Sequence, residues 1–287
     1  MKLHCARLAR YAAPIRVAIF LLTLLVLWLP LAAPLYWLLE DPNQVSILTM
    51  IGLYIEFIVL AHWWGRHVHQ HPNILKSYGL YATLQNGLEL IWGLAFGFVS
   101  ISGMFLLQGW MGWLSWQIPI LSFSRLFQEG LLVALGVGFA EELFFRGWLL
   151  DELQRDYSRS LSLGINSALF AVAHFIRPWK AILATWPQFV GLAILGLILV
   201  WAKRAKGRKG QENLGLPMGF HAGLVWGYYL VNVGQWVDYS GQVPDWVTGI
   251  DGNPLAGLVG LGGLGAIALY VKHLANLKTA SSDQIQD

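Results

Sequence analysis

Apolar residues arrive in runs of about twenty, broken by short polar stretches, along nearly the whole chain. The runs fall at roughly 16–39, 45–64, 86–107, 126–148, 161–176, 182–202, 214–233 and 254–272. About twenty residues at helical rise span the hydrocarbon core of a bilayer. Lipid offers no partner to backbone N–H and C=O groups, so runs of this length are helices; barrel strands would alternate over about ten residues. The pattern predicts an all-α, polytopic membrane bundle of about eight transmembrane helices with an intramembrane polar cavity. It forms one integral domain, 1–278. A polar tail, 279–287, follows and reads as disordered. Pro30, Pro34 and Pro187 predict bends or helix ends. The fifth run is short and carries Asn166 and Ser167 early, which predicts burial inside the bundle. In the last run Gly257, Gly260, Gly262, Gly263 and Gly265 predict close helix–helix packing.

Composition agrees with lipid as the solvent. The 287 residues are 56% hydrophobic and 12% charged, against about 25% charged in soluble domains. Fifteen Trp and ten Tyr suit two interfacial belts. The first run is too long for a cleaved signal core and reads as a retained anchor. Cys5 is the one cysteine, so no intrachain disulfide forms, and an inert thiol is a better reading than an acylation site. The net charge of +3 is spread over loops and does not point to nucleic acid. With the N-terminus placed in the cytoplasm, Arg125, Arg177 and Lys180 lie outside and the other sixteen basic residues inside. That asymmetry predicts both termini in the cytoplasm.

Charged groups inside the apolar runs carry the candidate chemistry. Each costs roughly 3 kcal/mol or more at bilayer depth, so it faces a polar space and has a use there. Glu141 and Glu142 sit together in the fourth run, with Arg146 one turn on. Glu142 and Arg146, four apart, share a helix face and can pair; Glu141, displaced by about 100°, addresses something else. His174 and His221 lie in the fifth and seventh runs. Counted from the inner ends, Glu141 is ~13 Å deep, His174 ~18 Å and His221 ~10 Å, one level in the inner half of the bilayer. A carboxylate near imidazole in an apolar setting can activate a water as general base. Four such groups could also ligate a metal, but Arg146 competes for Glu142, so no metal or other cofactor is expected. Glu56 and Glu89 read as structural and Glu129 as solvated. His67, His69 and His71 read as a solvated loop rather than a metal tract.

Three motifs in order carry a resemblance: Glu141-Glu142-Leu143-Phe144-Phe145-Arg146 (Glu-Glu-x-x-x-Arg), Phe170-Ala171-Val172-Ala173-His174 (Phe-x-x-x-His), and Phe220-His221 two helices on. Over about residues 125–235 the chain resembles the CPBP family, the CAAX prenyl protease and bacteriocin-processing enzymes also called Abi proteins. The resemblance implies an eight-helix intramembrane bundle and a metal-independent glutamic protease. Its substrate would be a membrane-associated peptide or protein. It also implies roles: Glu141 with His174 activates water, Glu142 and Arg146 hold the geometry, and His221 donates to the oxyanion. One position departs. Where the family carries Asn or Asp four residues after the third-motif histidine, this chain has Val225, and Trp226 or Asn166 would have to supply the missing donor. Two other functions stay open: a binding or stabilising scaffold for membrane proteins, and a proton- or metal-coupled transporter.

Overall fold

The computed structural model describes residues 5–118, 122–205 and 211–283. Lys2, Lys206, Arg208 and Lys209 of the orientation count lie outside these residues. Each predicted run falls mostly in helix. The segments are α1 Ala13–Leu38, α2 Pro42–His67, α3 Leu84–Trp110 and α4 Phe123–Glu142. A π-helical turn, Leu143–Leu149, leads without a break into α5 Leu150–Gln154. Then come α6 Arg159–Ala173, α7 Trp179–Thr185, α8 Gln188–Arg204, α9 Gly215–Val233 and α10 Leu258–Asp283. Entry points are capped as local chemistry requires. Asp41 accepts from Asn43 N, Thr83 from Asn86 N, and Ser158 from Leu161 N. A short antiparallel ladder, β1 Leu114–Trp116 with β2 Val237–Tyr239, ties the α3–α4 connection to the α9–α10 connection.

α1, α2, α3 and α10 are each long and apolar enough to cross a membrane, and α7 with α8 makes a fifth span if that bent pair is one. Large apolar side chains such as Val26, Val59, Val99 and Leu132 stand exposed along the helices, and Trp37 and Trp110 stand out at helix ends. A soluble protein would not show such a surface; an integral membrane protein does. α4, α6 and α9, which carry the candidate polar residues, are shorter or less apolar. Of these, α9 is largely enclosed by its neighbours, whereas α4 and α6 bury one face and keep the other exposed, as at Leu132 and Val172.

The run 182–202 bends at Pro187 as expected, and two other expectations need correction. α7 and α8 meet at 78° across Trp186–Pro187, because proline cannot donate into a continuing helical ladder. The tail is not irregular from Lys278 onward. α10 runs to Asp283, and 284–287 lie outside the described residues. Glycines of α10 pack closely as expected at two positions: Gly260 presses on the Pro254 carbonyl and Gly263 on Met104 of α3, while a Cβ on Gly262 or Gly265 would meet nothing within 4 Å. The closest interhelical approach joins α3 to α9. A Cβ on Gly219 would lie 1.9 Å from the Leu90 carbonyl oxygen, and one on Gly223 2.2 Å from that of Leu94. From the other side, a Cβ on Gly97 would meet the Phe220 carbonyl oxygen at 2.2 Å. Two backbones in contact fix the height and rotation of α9, and with them His221.

His69 is the second correction. It is not solvated: its side chain is 2% exposed and its Nε2 lies 2.5 Å from Glu152 Oε1. Glu152, fully buried on α5, also accepts from Arg16 Nε at 2.8 Å and Trp64 Nε1 at 3.0 Å. This knot joins the start of α1 and the end of α2 to the far end of the α4–α5 rod. His67 is half-buried, with its ring turned to the Trp63 carbonyl. Burial opposes the charge on Glu152, but the bonds from His69 and Arg16 outweigh it and hold the carboxyl below its ordinary 4.5. A depressed carboxyl adds stability above its unfolded value and loses it as pH falls through the folded one. Unfolding in detergent should therefore show this contribution in full down to about pH 4.5 and lose it below. Glu152→Gln should flatten that acid limb; an acid limb identical to wild type would count against the knot.

Candidate active site

Each predicted site residue arrives on a different part of the bundle. Glu141 and Glu142 end α4, Arg146 sits in the π turn, His174 caps the C-terminus of α6, and His221 lies in the first half of α9. The structure brings all five together. Arg146 Nη1 donates to Glu142 Oε1 at 3.0 Å, with both side chains fully buried. His221 Nδ1 lies 2.9 Å from the same oxygen. Glu141 takes no part in that pair. Its Oε2 lies 3.8 Å from His174 Nε2 and 4.0 Å from His221 Nε2.

Those partners fix the tautomers. His174 Nδ1 lies 2.8 Å from the Phe170 carbonyl oxygen, an acceptor only, so Nδ1 carries the proton. In neutral His174 the Nε2 lone pair then faces Glu141. His221 Nδ1 likewise donates to Glu142, and its Nε2 also faces Glu141. Glu141 Oε2 is screened from the surroundings and receives no hydrogen bond from the protein. Glu141 Oε2 and the neutral His174 Nε2 therefore present acceptors to the centre, and His221 Nε2 lies beside them. Gaps of 3.8 and 4.0 Å exceed a direct hydrogen bond. They suit an oxygen held ~2.8 Å from each partner, with the two bonds at roughly 90°. The side chains of Glu141 and His174 are 31% and 29% exposed, so this edge of the site opens to the protein surface, while His221 at 5% forms its floor.

Several contributors were not legible in the sequence. Phe170, noted only as a motif position, is the packing hub. The Arg146 guanidinium lies 4.2 Å over its ring, and the His174 and His221 rings meet it edge-on at 4.6 and 5.9 Å. Tyr54 of α2 donates to the Phe139 carbonyl at 3.4 Å and lies within electrostatic reach of both Glu141 and Glu142. The bond between Glu142 and His221 was also unforeseen; no sequence signal links a carboxylate to an imidazole two spans away.

Both substitute donors are engaged. Trp226 Nε1 donates to the Phe127 carbonyl at 3.2 Å, and Asn166 Nδ2 to the Phe145 carbonyl at 2.7 Å. The single Trp226 N–H is therefore spent, whereas the Asn166 amide keeps a second hydrogen. Glu56, expected to be structural, keeps one buried carboxylate oxygen without a protein partner, and Glu89 accepts from Gln85 Nε2. Glu129 is exposed and pairs with Arg125. Among the described residues no three His, Cys, Asp or Glu side chains are disposed to hold a metal ion; Glu142 Oε1 is already shared by Arg146 and His221. An apolar groove of about 390 Å³ between α3, α8, α9 and α10 is lined by Trp92, Phe96, Phe220 and Tyr270, and none of the five site residues borders it.

No curated protein and no solved structure matches the chain at a significant level. Residues 123–227 match the family model described as Type II CAAX prenyl endopeptidase Rce1-like, close to the 125–235 expected from the motifs. That stretch runs from the first residue of α4 into α9 and contains Glu141, Glu142, Arg146, His174 and His221, and the match supports membership of the CPBP family of CAAX-type proteases.

Proposed function

We propose that the protein is an intramembrane endopeptidase that hydrolyses a peptide bond of a membrane-associated, lipid-tethered substrate. The observation that carries this is Glu141 Oε2, unpartnered and facing two imidazole Nε2 atoms at 3.8 and 4.0 Å. A water seated there gives one hydrogen to Glu141 and the other to the His174 Nε2 lone pair, which aims an oxygen lone pair at the scissile carbonyl. Glu141 takes the proton as the C–O bond forms and later delivers it to the leaving amine. His221, protonated at Nε2 and balanced by Glu142, donates to the oxyanion. Arg146 holds Glu142 in place. No metal is needed for any of these steps.

The test is direct. Purified protein in detergent or liposomes is offered a fluorogenic peptide bearing a C-terminal isoprenoid or an acyl anchor, and cleavage is followed by mass spectrometry in H2(18)O. Cleavage with one heavy oxygen in the new carboxyl supports the proposal. Intact peptides with a folded enzyme across anchored and unanchored series would refute it. A scaffold function is the second reading, favoured by Val225 and by the engagement of Trp226 and Asn166 elsewhere. It predicts that a Glu141→Ala protein complements a deletion strain as well as wild type does.

We further propose that both termini face the cytoplasm, on the strength of the basic-residue asymmetry. One of the residues counted as inside, Arg146, is buried in the site rather than in a loop. Cys5 is the one thiol and provides its own probe. In intact cells a membrane-impermeant maleimide should leave Cys5 unlabelled, and permeabilisation should expose it. Labelling from outside would invert the topology.

A further inference from the structure

We infer that Lys203 and Asn166 are positioning residues that hold the π turn in its register and so aim the Glu142–Arg146 pair at His221. Their catalytic consequence rests on the hydrolytic reading of the site; their structural consequence does not.

Two successive main-chain carbonyls of the turn are gripped from outside. Asn166 of α6, fully buried, donates from Nδ2 to Phe145 O at 2.7 Å. Lys203 of α8, 4% exposed, donates from Nζ to Arg146 O at 2.5 Å. Carbonyls inside a helix ordinarily serve only their own ladder. A π turn bonds i to i+5 and disturbs that ladder, and such turns occur mostly as isolated insertions at functional sites. Lys203 is the more telling of the two. It lies next to the end of α8, where a lysine can extend its stem and put its ammonium in water. Instead the ammonium turns inward to a backbone oxygen of the very residue that anchors Glu142.

The same two helices close on the turn from other directions. Gly196 of α8 accepts from Arg146 Nη2 at 3.4 Å. Gly196 itself sits so near Ser167 of α6 that a Cβ would lie 2.8 Å from the Ser167 Cα. Arg146 is thus held at its guanidinium and at its carbonyl by one helix, two turns apart. Either end of the rod is fixed independently: Gly138 is pressed against the Met218 carbonyl of α9, and Glu152 is tied to Arg16, Trp64 and His69. The π turn takes up the rotational difference between those ends. Relaxation to α-helical register would rotate the carboxylates by about 100° relative to the far end.

The experiment uses full-length protein in detergent with 15N-labelled histidine. The His221 signals are assigned with His221→Gln, and the Nδ1 and Nε2 shifts report the bond to Glu142. Lys203→Met removes the donor at similar length, and Lys203→Arg keeps one. Lys203→Met should shift the His221 Nδ1 signal away from its wild-type, Glu142-bonded position, and Lys203→Arg should restore most of the wild-type signature. With an anchored peptide substrate, kcat should drop on the order of 100-fold with KM nearly unchanged, as for a small misplacement of reacting groups. Should Lys203→Met fail to fold, Asn166→Ala carries the same readouts. A folded Lys203→Met or Asn166→Ala protein with the wild-type His221 signature overturns the inference, whether or not the enzyme cleaves the peptide. If the signature moves but wild type shows no cleavage, the positioning role stands and the hydrolytic reading falls.

Discussion

Exchanging Glu141 for glutamine is expected to cut peptide hydrolysis by about 10²–10⁴-fold while leaving the unfolding transition close to wild type. The rate loss is that of a missing general base. The lack of a stability cost follows from the geometry. Glu141 Oε2 receives no hydrogen bond from the protein, and its distances to both imidazoles are longer than bonds. Glutamine has the same shape and cannot accept the water's proton. His221→Gln should lose about 10²–10³-fold as an oxyanion donor is removed, and it should also lose stability, because Glu142 gives up a partner at 2.9 Å. The two variants therefore separate chemistry from support. Turnover by Glu141→Gln at the wild-type rate would mean that the attacking water is activated elsewhere.

The second large effect concerns the buried ion pair. Arg146→Met should destabilise the folded bundle by about 3–5 kcal/mol, the usual result of leaving a buried charge uncompensated. Glu142→Gln should cost a comparable amount, since Arg146 would keep only the Gly196 carbonyl and the Phe170 ring. The double variant Glu142→Gln/Arg146→Met should recover much of that loss, because both charges go at once. It should not recover activity, since His221 would have no carboxylate on Nδ1. Chemical unfolding in detergent, read as a double-mutant cycle, measures the coupling. Additive losses would show that the two side chains do not stabilise each other.

How much of this was visible beforehand follows from what lipid demands of a chain. Backbone satisfaction forces long apolar helices, so the positions of the runs are written in hydropathy. Intramembrane charge is expensive, so Glu141, Glu142 and Arg146 stand out against their surroundings. The i,i+4 pairing of Glu142 with Arg146 needs only helical geometry, and the common depth of Glu141, His174 and His221 needs only residue counting. Rotation of each helix about its own axis is a different matter. Lipid-facing and protein-facing positions are both apolar, so hydropathy does not mark which side of α9 turns toward Glu142. The bonds of His69 to Glu152 and of Asn166 to Phe145 O depend on that rotation, and both were missed. The π turn was missed for a related reason: it arises from a mismatch between the two anchored ends of a rod, which no local propensity records.

The glycine contact between α3 and α9 has a consequence for anyone who would excise the family-matched stretch. Residues 123–227 contain every candidate catalytic side chain, yet the surface against which α9 is seated belongs to α3, well upstream. There the two main chains touch with no side chain between them, Gly219 against Leu90 and Gly223 against Leu94. A fragment beginning at α4 would leave that bare strip of backbone open to detergent, with nothing to set the tilt of the helix that bears His221. The minimal catalytic unit is therefore larger than the stretch that identifies it, and a graft into another scaffold would have to carry the upstream helix along.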